Sequence, residues 1–146
     1  FHIYKFRTMV AGADKIGSKV TVQGDSRITK TGEFLRKYRL DEIPQLFNVL
    51  LGDMSFVGTR PEVEKYVHQY NDEMKATLLM PAGITSLASI KYKDEDQLLQ
   101  NAENADEEYI KVVLPEKMKY NLKALEEFNI FSDLKTMIAT VFAVVR

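Results

Sequence analysis

Four prolines, Pro44, Pro61, Pro81 and Pro115, do most to limit what this chain of 146 residues can build. Proline has no amide hydrogen and its ring clashes with the preceding turn, so a helix can start at one but seldom runs through it. Gly52 and Gly83 add two further stops. What remains are helices of moderate length and a few short strands. Apolar residues make up 45% of the chain, enough for one sizeable core. The expected class is α+β: a mainly helical single domain over residues 1–146 with a few short strands.

Residues 2–8 alternate like a strand, and 11–29 lack periodicity and read as a loop. Residues 31–39 read as a short helix. Residues 42–51 read as a second one, capped by Asp41 and stopped by Gly52. Residues 53–60 read as a turn-rich connection. A long helix is expected from Pro61 to about Leu79, then a strand or extended segment over 84–92. Residues 94–101 and 106–127 look helical, with a kink at Pro115. Asp133 is expected to cap a last helix. The apolar face of that helix, Leu134, Met137, Ile138, Val141, Phe142 and Val145, reads as core-facing rather than as a membrane-contacting or self-associating surface. A homo-oligomer is left open.

Composition excludes several chemistries. There is no cysteine, so no disulfide framework, thiolate metal site or cysteine nucleophile. His2 and His68 are the only histidines, too few for a three-histidine metal site. A net charge of −1 argues against a nucleic-acid partner. Nothing approaches the ~20 consecutive apolar residues of a spanning helix. The opening run, Phe1-His2-Ile3-Tyr4-Lys5-Phe6, has no initiating Met and reads as the middle of a longer chain. Charge is unevenly spread. Residues 1–60 carry a net +4 and residues 61–146 a net −5. Five of the six arginines, Arg7, Arg27, Arg36, Arg39 and Arg60, fall in the first part. Guanidinium groups suit bidentate capture of phosphate, so anion chemistry is expected there.

The densest chemistry lies in Arg36-Lys37-Tyr38-Arg39-Leu40-Asp41-Glu42-Ile43-Pro44. Two adjacent carboxylates follow a run of cations at a helix start. The helix dipole and the arginines should keep at least one of them ionised. An ionised carboxylate can attack phosphorus or bind a hard cation. The plain alternative is an N-cap Asp beside a dipole-matching Glu. A second turn, Val57-Gly58-Thr59-Arg60-Pro61-Glu62, joins glycine and arginine to a helix start, a second anion site in principle. Neither stretch has the spacing of a P-loop or of a dinucleotide fold.

These stretches carry a resemblance. Lys5-Phe6-Arg7-Thr8-Met9, Asp25-Ser26-Arg27-Ile28-Thr29, Leu40-Asp41-Glu42-Ile43-Pro44-Gln45-Leu46 and Gly52-Asp53-Met54-Ser55-Phe56-Val57-Gly58 together resemble the bacterial sugar transferase family, monotopic phosphoglycosyltransferases acting on polyprenyl phosphate. The likeness continues more loosely through Gly83-Ile84-Thr85, Leu114-Pro115-Glu116-Lys117 and Asp133-Leu134-Lys135. The resemblance implies transfer of a sugar phosphate from a UDP-sugar to polyprenyl phosphate, with release of UMP. It implies Asp41 as the nucleophile and as a ligand for Mg²⁺, and Glu42 as its catalytic partner. Arg36 and Arg60 match positions that hold phosphates, with Lys5 and Arg7 as weaker matches. It also implies the cytoplasmic face of a bacterial inner membrane, with contact to the membrane surface, and an N-terminal re-entrant membrane helix preceding this chain.

The sequence departs from the family pattern at Thr59, where proline is usual. It departs again in Pro81-Ala82-Gly83-Ile84-Thr85-Ser86, which lacks a basic residue. Two other readings stay open: a Mg²⁺-dependent phosphohydrolase using the same aspartate, and a catalytically silent module at a membrane surface.

Overall fold

A computed structural model of the chain describes residues 1–16 and 20–145, and the side chains of all of these but Asp14 and Val145. The part of the expected loop at 17–19 lies outside the described residues. The architecture is mainly helical with one small parallel sheet, the expected α+β class.

The first long segment is not a strand. Residues 2–8 are extended, yet among the described residues the only bridge near them pairs Met9 with Ile28. Their backbone partner is a side chain. Asn48, fully buried, accepts from the Tyr4 amide at 3.0 Å and donates to the His2 carbonyl at 2.7 Å. The Phe6 amide donates to the Asp41 carbonyl at 3.0 Å. A carboxamide offers one donor and one acceptor, as a neighbouring strand does, so alternation is satisfied without a sheet.

Helix α1 (Lys30–Lys37) starts where Thr29 Oγ1 accepts from the Gly32 amide at 3.0 Å. The same hydroxyl donates to the Thr8 carbonyl at 3.2 Å. Gly32 must lack a side chain, because a Cβ there would lie 1.9 Å from that carbonyl oxygen. A 3-10 turn (Leu40–Glu42) follows, then α2 (Gln45–Leu50). One helix over 42–51 was expected, with Asp41 as its cap. The residue before the turn, Arg39, instead adopts left-handed backbone (φ 54°), and Pro44 directly precedes α2. Proline's missing donor sets the break between turn and helix. Gly52, with φ 83°, ends α2 as expected.

The expected connection at 53–60 contains strand β1 (Met54–Val57), parallel to β2 (Ala82–Thr85) with Val57 opposite Thr85. Pairing across so long a crossover leaves no local signal. Beyond the strands, the Gly58 amide donates to Thr85 and the Gly83 amide to Thr59, each at 3.0 Å.

The expected long helix from Pro61 to Leu79 is several short pieces: α3 (Glu64–Val67), α4 (Asp72–Lys75) and a 3-10 turn (Ala76–Leu79). Asn71 restarts the chain by accepting from the Met74 amide at 2.8 Å. Ser86 likewise caps α5 (Leu87–Lys91), so the extended reading of 84–92 ends at Thr85. After α6 (Glu95–Leu98) and α7 (Ala105–Glu108), the interruption expected at Pro115 takes the form of a wide π turn (Tyr109–Val113) entering α8 (Leu114–Glu126). Tyr109, Val113, Leu114 and Met118 from this region bury themselves with Tyr66, Tyr70 and Leu99 as the core.

The last helix, α9 (Ile130–Val145), starts earlier than expected. Asn129, not Asp133, accepts from the Ser132 amide at 2.9 Å. Its packing face also differs. Thr136 is buried, and the Thr140 hydroxyl lies 2.8 Å from that of Thr85 on β2. Small hydroxylated residues let α9 approach the sheet closely. Leu134, Ile138, Val141 and Phe142 are therefore more than half exposed, and the core-facing reading of that face does not hold. No described helix is long and apolar enough to cross a membrane.

Candidate active site

Three separate chain segments meet at the 3-10 turn carrying Asp41 and Glu42, and both residues are buried. The sharp backbone at Arg39 is the only non-glycine positive φ among the described residues. An L-residue held there costs of order 1–3 kcal/mol, an expense that concentrates at functional sites. The turn is pinned from below by the Phe6 amide, which also delivers Lys5.

Glu42 is the electrostatic hub. Arg60 grips it with both terminal nitrogens: Nη1 donates to Oε2 at 3.0 Å and Nη2 donates to Oε1. Lys5 Nζ lies 3.7 Å from Oε1 and Arg39 Nη1 lies 3.9 Å from it. Burial works to raise the Glu42 carboxyl, but the Arg60 hydrogen bond and the charges of Arg60, Lys5 and Arg39 overcome it and hold it below the ordinary glutamate value.

Asp41 has the opposite balance. Burial, then the neighbouring Glu42 charge, pushes its carboxyl above the ordinary aspartate value, against Lys5 and Arg36. Its Oδ1 is buried and has no hydrogen-bond partner among the described residues. A buried acceptor without a donor costs about 1–3 kcal/mol. One carboxylate of the pair is thus committed to cations and the other is left with a free oxygen.

The remaining expected residues divide. Arg36 lies close enough to Asp41 to act on its charge while its Nε donates to Thr8 Oγ1 at 3.0 Å. Lys5 and Arg60 are at the site. Arg7 is exposed and makes no ion pair among the described residues. Arg39 was read only as part of the basic run, and its approach to Glu42 depends on a backbone conformation that residue type does not announce. Lys117 and Glu62, behind Arg60, were likewise not singled out. Among the described residues no group of three or more His, Cys, Asp or Glu gathers as a metal cage.

The chain is 35% identical to the galactosyl transferase CpsE of Streptococcus agalactiae serotype III, over 97% of this chain and 30% of the relative. It is 32% identical to the UDP-N-acetylgalactosamine-undecaprenyl-phosphate N-acetylgalactosaminephosphotransferase of Aeromonas hydrophila, over 97% of this chain and 31% of the relative. It is 34% identical to the UDP-glucose:undecaprenyl-phosphate glucose-1-phosphate transferase of Escherichia coli K12, over 96% of this chain and 28% of the relative. The chain thus spans less than a third of the length of these relatives. The family described as bacterial sugar transferase matches residues 1–146 end to end, and the chain belongs to that family.

Proposed function

We propose that the protein transfers a sugar phosphate from a UDP-sugar to polyprenyl phosphate through a covalent intermediate on Asp41, as the first membrane step of a bacterial glycan. The observation that carries this reading is the unequal carboxylate pair. Glu42 is saturated by Arg60, while Asp41 keeps a buried oxygen without a partner. The named activities of the Aeromonas and Escherichia relatives support the same chemistry.

In the first step an Asp41 oxygen bonds to the β-phosphorus. The bond from that phosphorus to the bridging oxygen breaks, and UMP leaves with the electron pair. In the second, an oxygen of polyprenyl phosphate attacks the same phosphorus, the bond to Asp41 breaks, and the free carboxylate returns. Phosphoryl transfer asks chiefly for alignment and charge neutralisation. Lys5, Arg36 and Arg60 supply cations on the flanks of the pair, and Arg7 lies farther out as a weaker phosphate contact. Glu42 keeps Arg60 and Lys5 in place and is positioned to steer the acceptor.

Asp41 fits a hard cation better than Glu42 does, because its Oδ1 is unclaimed. With no cage of protein ligands, Mg²⁺ held by Asp41 would take its other oxygens from water and substrate phosphates. Bound there, the ion supplies neutralisation of the diphosphate charge. The other residues act without it: Arg60 orients, and Lys5 draws the Asp41 carboxyl toward its ionised form.

A lipid acceptor requires approach to a membrane surface, at the cytoplasmic face of the inner membrane. Exposed Phe47, Leu50 and Leu51 around the end of α2, and Phe131, Val141 and Phe142 on α9, give the molecule apolar surface suited to it.

The test is incubation of the full-length protein, reconstituted in lipid, with Mg²⁺, a panel of UDP-sugars and polyprenyl phosphate, following UMP. Asp41→Asn is expected to abolish release. Undiminished release by that variant removes Asp41 as nucleophile. Liberation of inorganic phosphate without acceptor would instead mark a phosphohydrolase.

A further inference from the structure

Behind Arg60 lies a second ionic group that the reaction above does not use. Lys117, on α8, is buried, with 4% of its surface exposed. Its ammonium donates to three oxygens: Glu62 Oε1 at 3.2 Å, Glu95 Oε2 at 3.0 Å and the Tyr109 hydroxyl at 2.9 Å. That hydroxyl donates in turn to Glu62 Oε1 at 2.5 Å. All three ammonium hydrogens have acceptors, so the buried charge is satisfied.

We propose that Lys117 is a positioning residue for the transfer reaction, setting the Arg60 guanidinium against Glu42 through the Tyr109 hydroxyl and Glu62. This rests on the function proposed above. Glu62 stands two residues after Arg60, with Pro61 between them restricting the backbone. On the other side, Gly58 and Thr59 are tied to β2 by backbone hydrogen bonds. Arg60 is therefore held between two anchors, and its side chain reaches Glu42. Charge leads to the same conclusion. Glu62 and Glu95 both act electrostatically on Arg60. Left uncompensated, these carboxylates would compete with Glu42 for the guanidinium. The Lys117 ammonium, bonded to both, holds them back. A brace for the core alone has no need of this charge, since apolar side chains of similar volume brace as well.

Tyr109→Phe removes only the hydroxyl that accepts from Lys117 and donates to Glu62, and leaves the direct Lys117–Glu62 pair. Lys117→Met removes the charge. Each is made alone and together with Arg60→Lys in the full-length protein in lipid nanodiscs. Two quantities are measured: kcat/KM for UMP release across the UDP-sugar panel, and the ¹⁵N guanidinium resonance of Arg60, assigned by its loss in Arg60→Lys. Tyr109→Phe is expected to lower kcat/KM about tenfold, the scale of one hydrogen bond to a charged group, and to shift the Arg60 resonance. In the Arg60→Lys background the same change should cost less than about twofold, because coupled residues do not add. An equal loss in both backgrounds overturns the proposal, as does an Arg60 resonance unmoved in Tyr109→Phe. If Lys117→Met does not fold, Lys117→Arg, which keeps the charge but not the ammonium geometry, is read beside Tyr109→Phe and is expected to shift the Arg60 resonance as well. A wild-type protein that transfers nothing defeats the proposed function, and the resonance still decides the role of Lys117.

Discussion

Two buried ionic groups sit on either side of the Arg60-Pro61-Glu62 tripeptide, and they are built to different rules. The group around Lys117 is closed: every ammonium hydrogen has an acceptor, and α8, the π turn and α6 each contribute a member. The group around Asp41 is open. Glu42 is gripped by Arg60, Lys5 is 39% exposed, and one Asp41 oxygen has no partner. Buried polar networks usually approach full satisfaction, because an unpaired group in low dielectric is costly. The contrast fits the function proposed above, in which the closed group holds shape and the open one meets a ligand.

The widest gap between the groups should appear in Asp41→Asn. Transfer should fall by roughly 10³-fold or more, as for loss of a covalent nucleophile. Melting temperature should stay level or rise at neutral pH. The Asp41 carboxyl is pushed above its ordinary value, so its charged form is the costly one in the folded state, and amide substitution removes that cost. Calorimetry alongside the UMP assay checks both halves, and a large drop in stability would place Asp41 with the structural group.

Lys117→Met should behave in the reverse sense on stability. Glu62 would keep a largely buried carboxylate without its cation, and breaking such a pair costs about 3–5 kcal/mol in urea denaturation. Equal stability in the variant would mean the closed group holds nothing.

Glu42 offers a test by pH. Its folded pKa is depressed, so the stability it contributes is present above the ordinary glutamate value of 4.5 and is lost as pH falls through the depressed folded value. Glu42→Gln should flatten denaturation midpoints across that acid window. An unchanged slope in the variant would remove Glu42 as the hub.

The smallest effect belongs to Lys5→Met. A partly exposed pair at 3.7 Å is worth less than about 1 kcal/mol, so the melting temperature should barely move. The acid limb of the activity profile should move to higher pH, because Lys5 is one of the charges drawing the Asp41 carboxyl down. A limb that stays put would separate Lys5 from Asp41.

Much of the open group was legible in the sequence: residue type marks Asp41 and Glu42, and the family resemblance marks Lys5, Arg36 and Arg60. Asp41, Glu42, Lys5, Arg36 and Arg60 carry charge in short motifs, and all but Arg36 meet in direct ion pairs or adjacent positions at one turn. The closed group was not legible. Tyr109 lies in no motif and Lys117 only ends a loosely matching stretch, and only the fold brings them to Glu62. Elements followed the same division. The stop at Gly52 and the interruption near Pro115 are local chemistry and were foreseeable. The pairing of Met54–Val57 with Ala82–Thr85 and the sheet-facing stripe of Thr136 and Thr140 depend on distant partners. The apolar face of α9 misled because periodicity marks that a helix has two sides without saying which one the neighbours take.

Asn48 leaves the N-terminal segment dependent on a single carboxamide. Sheets share the load of holding a strand among many backbone pairs, whereas among the described residues the segment 2–6 is tied by the two hydrogen bonds of one carboxamide and by the Phe6 amide donating to the Asp41 carbonyl. Such a segment should peel away at temperatures where α8 and the tyrosine core are still intact. Lys5 would leave with it, so warming should end the proposed transfer before it melts the protein, and brief cooling should bring the lost turnover back.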